Sequence, residues 1–518
     1  MYFDQLRKED NHTLGWDVVV NYGVNEINKA LAAAHADSDS RNSITHITFQ
    51  VTGSDWKGDE YNVDYNFSLG APIIQVTFKD TVGFICELTV PVISGIATGH
   101  NGEDKAEQTV GSDVYTFVID GLLMGTALGG STGAITPPDT PFIFPTDSKD
   151  GIVTIDFPTS KDMSVSIQDG RRADKKTRIS FVEAHKADVC LAIAQQLRTT
   201  YKNVRLELAR VNSSAAPGDA VQLQPRSFMF AVLSEKNKTV LKENILSVFI
   251  QTGSTESGTR DESRGRKWSA LWLDTLRISP IYSSHTASMF FKKETIYDLM
   301  IRPAIRKHGM SSSLRSSRGT ISLDLYTGQS MHRDAYVYPD PEPDRFRNYR
   351  KVSQINADPD PIALVLKTEG DAVKCRGTCT YSYKFDWMQE FGYTGDEVLS
   401  YGTVTVTNTL DKTLGTTTFV DDYALNMGCT ISAGDWTRKL VPDNQDFWHK
   451  FTGGSEDIPF WVSKLDLVLD TIKMDFGSLY FFLTTNLLMP GKKVIQIDKS
   501  LGLQVVGSLY IAGDVIAS

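Results

Sequence analysis

The stretch WDVVVNYGVNEINKALAAAHA, residues 16–36, decides how the rest of the chain is read. Its apolar positions Val20, Val24, Ile27, Leu31 and Ala34 are spaced four, three, four and three. That spacing lays them along one stripe of an α-helix. Asn21, Asn25, Glu26, Asn28 and Lys29 fall elsewhere on the wheel. The spacing predicts one continuous helix over Trp16–Ala36, about 30 Å long at about 1.5 Å rise per residue. One helix cannot cover so long a stripe by itself. The residues that follow read almost wholly as strands, so the expectation is a sheet wrapped around a helix.

Composition bounds the class. The chain has 518 residues, 41% hydrophobic and 22% charged, enough for a sizeable core and more than one domain. A net charge of -10 argues against a general nucleic-acid binder. The opening MYFDQLRKEDNHTLG has no apolar stretch of the signal-peptide kind. No apolar run approaches the roughly 18 residues of a membrane span. The expectation is a soluble protein with no transmembrane segment, cytoplasmic or released without a classical signal peptide. Five scattered cysteines, Cys86, Cys190, Cys375, Cys379 and Cys429, read as free thiols rather than a disulfide framework.

After a polar loop at 36–43, alternating strands are expected at Ile44–Thr52, Tyr61–Phe67 and around the turn Lys79–Gly83. Residues 121–145 are rich in Gly, Thr and Pro and read as a long loop. Helical period returns over Ala184–Thr200, with Ala187, Cys190, Leu191, Ala194 and Leu197 on one face. The polar stretch 253–267 reads as a surface excursion near a boundary, dividing the chain into 1–265 and 266–518. The second half repeats the plan. A helix lies within Ser283–Lys307, with Pro303 marking a kink or its last turn. Strands follow, then Ile458, Val462, Leu465, Leu469 and Ile472 form another four-three-four-three stripe. The predicted class is α+β: two like units, each a curved antiparallel sheet wrapped around long amphipathic helices.

Gly15-Trp16-Asp17, with Val24-Asn25 and Asn28-Lys29-Ala30-Leu31, resembles the first-helix signature of the TULIP (tubular lipid-binding) proteins encoded in clostridial neurotoxin gene clusters lacking haemagglutinins. Leu14 stands where that family most often has Tyr. Thr485-Asn486-Leu487-Leu488-Met489-Pro490 is a second match. The resemblance implies two tandem TULIP-like units. In function it implies a non-enzymatic accessory role beside a toxin, through other proteins of the same cluster. It also implies phospholipid or phosphoinositide binding, as in some members; the alternative is a carrier holding a lipid in a hydrophobic tube.

Few residues carry recognisable chemistry. Gly129-Gly130-Ser131-Thr132-Gly133 fits G-x-S-x-G, but Pro137 and Pro138 follow where a nucleophile elbow needs a helix. Cys375 and Cys379 have no second pair at zinc spacing. The nine histidines form no H-x-x-x-H pair, and no Walker or dinucleotide glycine motif appears. No catalytic residue, cofactor or metal is expected. Residues 299–323 carry Arg302, Arg306, Lys307, Arg315 and Arg318 with no acid, interleaved with serines. The segment suits a phosphate headgroup or an acidic partner surface, or else is a solvated helix end. The helix is expected to stop near Gly309, with the serines beyond it in a loop. Arg171, Arg172, Lys175, Lys176 and Arg178 form a second cluster. Val20, Val24, Ile27 and Leu31 fit either ordinary core or the wall of a lipid tube.

Overall fold

The computed structural model describes residues 1–37, 43–54, 60–79, 83–101, 104–129, 135–173, 178–215, 223–235, 239–252, 264–282, 284–307, 310–317, 320–327, 348–354, 363–369, 372–390, 397–414, 418–421, 424–427, 435–442, 472–475, 477–488 and 493–517. It forms two compact units. Met1–Thr295, Gly477–Leu501 and Ser508–Ser518 make the first; Ile296–Phe476 and Gly502–Gly507 make the second.

Residues 16–36 are not one helix. Val18–Gly23 is a β-strand, and only Val24–Ala36 is helical. Val18, Val19 and Val20 are β-branched and Tyr22 is aromatic, residue types that fit a pleated surface. All six strand residues are buried. A strand apolar on both faces shows no alternation, so its valines merged with the helical stripe that follows.

This strand is central in an antiparallel sheet. The order is Lys493–Ile497, Leu509–Ala517, Ala287–Phe291, Val18–Gly23, Ile245–Gln251, Ser227–Leu233, Phe142–Ile143. The chain therefore returns to its first unit near the end, because Lys493–Ile497 and Leu509–Ala517 continue that sheet. This corrects the expected tandem arrangement of two like halves.

One rung fixes the register. Asn21 stands opposite Ser247 on one side and Ser288 on the other. Its Nδ2 donates to Ser288 Oγ at 3.1 Å, and its Oδ1 accepts from Ser247 Oγ at 2.7 Å. Trp268 Nε1 donates to Ser247 Oγ at 2.9 Å, and Ser288 Oγ donates to the Pro280 carbonyl at 2.8 Å. All four side chains are fully buried. A slip of one residue would leave these groups unmatched in the core, so the rung specifies the pairing.

The helix Val24–Ala36 follows Gly23, which lies against the Glu243 carboxylate. The Glu243 carboxylate accepts from the Asn25 N–H at 2.7 Å, supplying the acceptor that the first turn needs. A Cβ on Gly23 would lie 2.5 Å from Glu243 Oε1. Val24, Ile27, Ala30 and Leu31 face inward. Asn28 acts as a short surrogate strand: its Nδ2 donates to the Ile74 carbonyl at 3.1 Å and its Oδ1 accepts from Ile74 N at 2.8 Å.

The second sheet of this unit runs His46–Ser54, Glu60–Leu69, Gly83–Asn101, Tyr115–Leu128, Asp150–Asp156, Glu207–Asn212, Leu487–Leu488. Gly83–Asn101 changes neighbours part-way. Its first part pairs with Ile73–Lys79 and Tyr115–Leu128, its second with Glu60–Leu69 and Asp104–Val110. The register shifts where Leu69 meets Val92. Residues 121–128, expected as loop, complete the strand Tyr115–Leu128; Leu122, Met124 and Ala127 are buried there.

The second unit has a sheet ordered Met310–Ser317, Thr320–Thr327, Ala363–Glu369, Ala372–Glu390, Glu397–Leu414, Trp436–Pro442, and a smaller one of Thr418–Asp421, Ala424–Met427, Ile472–Asp475. Residues 458–471 of the expected last helix lie outside the described residues, and Ile472 begins a strand. Lys186–Thr199, with 14 residues, is the longest helix among those described. The long amphipathic helices of the prediction are therefore corrected: the described chain is β-rich with short helices.

Candidate functional site

Helix Lys186–Thr199 packs on the strands His46–Ser54 and Ser164–Asp169 of the first unit. Val189, Ile193, Ala194 and Leu197 are its buried residues. The expected face was rotated: Leu191 is 68% exposed, because the i, i+4, i+8 line through Val189, Ile193 and Leu197 points inward. Between helix and sheet is a cavity of about 20 Å³ whose lining side chains are all apolar, among them Ile47, Leu88, Phe117, Ile119, Ile193 and Leu197. It has room for about one water-sized group. Pockets for drug-sized ligands are commonly ~300 Å³ or more.

Polar contacts hold the two ends of this helix and leave its middle to apolar packing. At the N-terminal end, the Tyr61 hydroxyl meets His185 Nε2. Tyr65 Oη donates to the Phe181 carbonyl at 2.9 Å. Tyr115 Oη accepts from Ile179 N at 2.9 Å and donates to Glu183 Oε1 at 3.2 Å. Burial pushes the Tyr115 phenol up to about 12, so it remains a donor. A Cβ on Gly53 would lie 2.4 Å from His185 Cε1, so a larger residue at that strand position would push the ring aside. At the other end, Arg198 Nη2 donates to the carbonyls of Ser160, Lys161 and Met163 at 3.2, 3.4 and 3.4 Å, and Tyr201 Oη donates to His46 O. Tyr61 and Tyr65 lie four residues apart on the strand Glu60–Leu69, on one face of it. The cleft itself has no sequence signal, since its lining comes from six separate segments.

The basic segment is in the second unit and is less cationic than its window implied. The π turn Tyr297–Ile301 runs into the helix Arg302–Lys307. Pro303 has no N–H to donate backward, and a wider turn before it accommodates the missing bond. Arg302 is ion-paired with Asp298 at 2.8 Å and sits 4.7 Å from the Tyr297 ring centroid. The Tyr297 hydroxyl first, and Asp298 after it, raise the guanidinium above its ordinary value. Asp298 lies one residue outside the acid-free window. Arg306 and Lys307 are exposed. Gly309 and Arg318 lie outside the described residues. The serines are not loop: Met310–Ser317 is a strand paired with Thr320–Thr327, in which Arg315 stands opposite Ser322. Ser311 and Ser313 are exposed while Ser312 and Leu314 are half-buried, which is strand period.

Replacing Arg306 and Lys307 together by Ser is expected to weaken binding to anionic liposomes about 30-fold at low salt, from about 1 kcal/mol per basic residue. Arg302→Ser should also weaken binding, since it leaves the Asp298 carboxylate unpaired beside the anionic surface. Salt-insensitive, unchanged binding by the double variant would identify the segment as solvated surface.

Val20, Val24, Ile27 and Leu31 are all buried, Val20 in the strand and the others in the helix. Ser131 lies outside the described residues. Arg178 is ion-paired with Asp169, and Lys175 and Lys176 lie outside the described residues. Cys375 and Cys379 share one extended strand four residues apart, about 13 Å, which exceeds disulfide reach. Cys375 is buried and is not part of a disulfide. Among the described residues no group of His, Cys, Asp or Glu has metal-site geometry, and no helix is long and apolar enough to cross a membrane.

The fold and cleft define a β-rich protein whose curved sheet is closed by a short helix over an apolar seam. No family model matches the chain, and a search of curated proteins returned no match. Among solved structures it is similar to one described as the crystal structure of lipopolysaccharide binding protein, at 10% identity, with 97% of this chain and 99% of that one covered and a TM-score of 0.25.

Proposed function

We propose that the protein is a non-enzymatic lipid-binding protein that takes an acyl chain into the seam beneath helix Lys186–Thr199. The observation that supports this is the seam's lining: every side chain is apolar, although the helix above is exposed on its other side. An acyl chain would need the helix to lift, and the end contacts from Tyr61, Tyr115 and Arg198 would act as its hinges. The resemblance of Gly15-Trp16-Asp17 to TULIP proteins agrees with this reading. It adds the finer proposal of an accessory role beside a clostridial neurotoxin, with other proteins of that cluster as partners.

Native mass spectrometry before and after organic extraction tests the reading. A mass excess removed by extraction is expected, together with binding of a fluorescent fatty acid. Ile193→Trp should fill the seam and reduce that binding at least tenfold with the fold intact by circular dichroism. Unaltered fatty-acid binding in that variant would remove the seam as the site. No binding by the unmodified protein would favour the protein-partner role instead.

A further inference from the structure

The N-terminal segment is tied to the first unit by side chains rather than by a strand ladder. Helix Tyr2–Leu6 sets Tyr2 against Tyr282, ring centroids 5.0 Å apart, and Phe3 against Tyr510 at 5.9 Å. Farther along, His12 is fully buried. Its ring stacks on Phe290 at 5.3 Å and leans on Trp272 at 5.9 Å. Its Nε2 lies 3.0 Å from the Leu6 carbonyl oxygen. A carbonyl can only accept, so Nε2 carries the hydrogen and Nδ1 is the bare nitrogen. Nδ1 has no hydrogen-bond partner among the described residues. A proton arriving there puts a charge and an unmatched N–H inside an aromatic pocket.

We propose that His12 is an acid-sensitive latch, whose protonation frees residues 1–15 and uncovers the aromatic surface formed by Tyr282, Tyr510, Trp272 and Phe290. The groups facing the ring are few. Its own segment contributes the Leu6 carbonyl and the field of Asp10, both of which favour the charged form. Residues Ala270–Leu276 contribute Trp272 and strand Ala287–Phe291 contributes Phe290, neither of which titrates. Burial outweighs the favourable contacts and holds the imidazole down from 6.5 to about 4. The sign follows. In the docked state the proton is bound weakly; in the released state it is bound with ordinary affinity. Release is therefore suppressed above about pH 6.5 and grows as pH falls, about tenfold per unit, levelling off below about 4. The full window is worth about 300-fold in the released population.

Hydrogen exchange on the full-length protein at pH 7 and pH 4.5 tests this. After correction for intrinsic rates, amides in residues 1–15 should lose about 60-fold in protection at the lower pH. The strand Val18–Gly23 should keep its protection. His12→Phe keeps an aromatic ring in the pocket, and His12→Gln keeps a donor for the Leu6 carbonyl; both should abolish the pH effect. His46→Gln, at an exposed site, should leave it intact. A His12→Phe protein that still loses protection selectively in this segment overturns the proposal. Should both variants already be unprotected at pH 7, the wild-type imidazole is titrated by NMR. A midpoint near 4 then sustains the latch, and one near 6.5 overturns it.

Discussion

Replacing Asp17 by Ala is expected to destabilise the first unit by about 4 kcal/mol, read as a lowered urea midpoint. The side chain is 1% exposed. Its Oδ2 accepts from Gln251 Nε2 at 2.7 Å, Thr252 N at 2.8 Å and Thr252 Oγ1 at 3.0 Å. Its Oδ1 accepts from Thr295 Oγ1 at 2.8 Å. One carboxylate thus ties the start of the central strand to the end of its neighbour and to the segment before the second unit. Alanine leaves four donors without that acceptor. A hydrogen bond to a charged group is worth about 1.5–3 kcal/mol, and four such bonds on one group do not add in full. Asp17→Asn should lose less, because it keeps one acceptor oxygen while turning an NH₂ toward other donors. Emission from the buried Trp16, Trp268 and Trp272 reports the transition. An Asp17→Ala protein with the wild-type midpoint would show that these contacts contribute nothing net.

The residues just before Asp17 are structural as well. Gly15 has φ 86° and Leu14 φ 51°, a left-handed turn that glycine adopts without strain and leucine does not. Trp16 is buried against Phe249, their centroids 6.2 Å apart. Gly-Trp-Asp is thus a turn, an anchor and a staple at the start of a strand.

How much was legible follows from what each signal can carry. The inward positions Val24, Ile27 and Leu31 were readable because a helix with one buried face keeps its period. Val18–Gly23 was not, because burial on both faces erases the alternation that marks a strand. The serines at 311–317 were misread for a different reason. Serine favours caps and turns as an isolated residue, but here its partners on Thr320–Thr327 supply the ladder, and pairing overrides propensity. The basic window failed at its edge: Asp298 sits one turn before Arg302, where a helix brings i and i+4 together. The apolar seam was out of reach of any local pattern, since Ile47, Leu88, Phe117 and Leu197 meet only once the sheet has curved. His12 carries no such signal either, since nothing in Asn11-His12-Thr13 marks burial.

Ile27→Asp is expected to have the larger effect on the same unit, above about 4 kcal/mol, and to lower yield as well as melting temperature. Ile27 is 0% exposed, on the face of helix Val24–Ala36 that meets the strands Ile73–Lys79 and Glu207–Asn212. The substitution removes a buried aliphatic side chain, worth about 2–3 kcal/mol in transfer alone. It then places a carboxylate where no cation is available within the apolar face. Lys29 cannot serve, since it is two-thirds exposed and already holds Glu26 at 2.6 Å. The carboxyl would be forced to protonate or to drag the helix off the sheet, and either adds to the cost. Detachment would also break the paired contacts between Asn28 and Ile74, so the edge strand Ile73–Lys79 should lose exchange protection along with the helix. The control is Ala32→Asp on the exposed side of the same helix, which carries only the difference in helix propensity, under about 1 kcal/mol. If the two variants melt together near wild type, the stripe does not form the core and the helix is held by its caps and Asn28 alone.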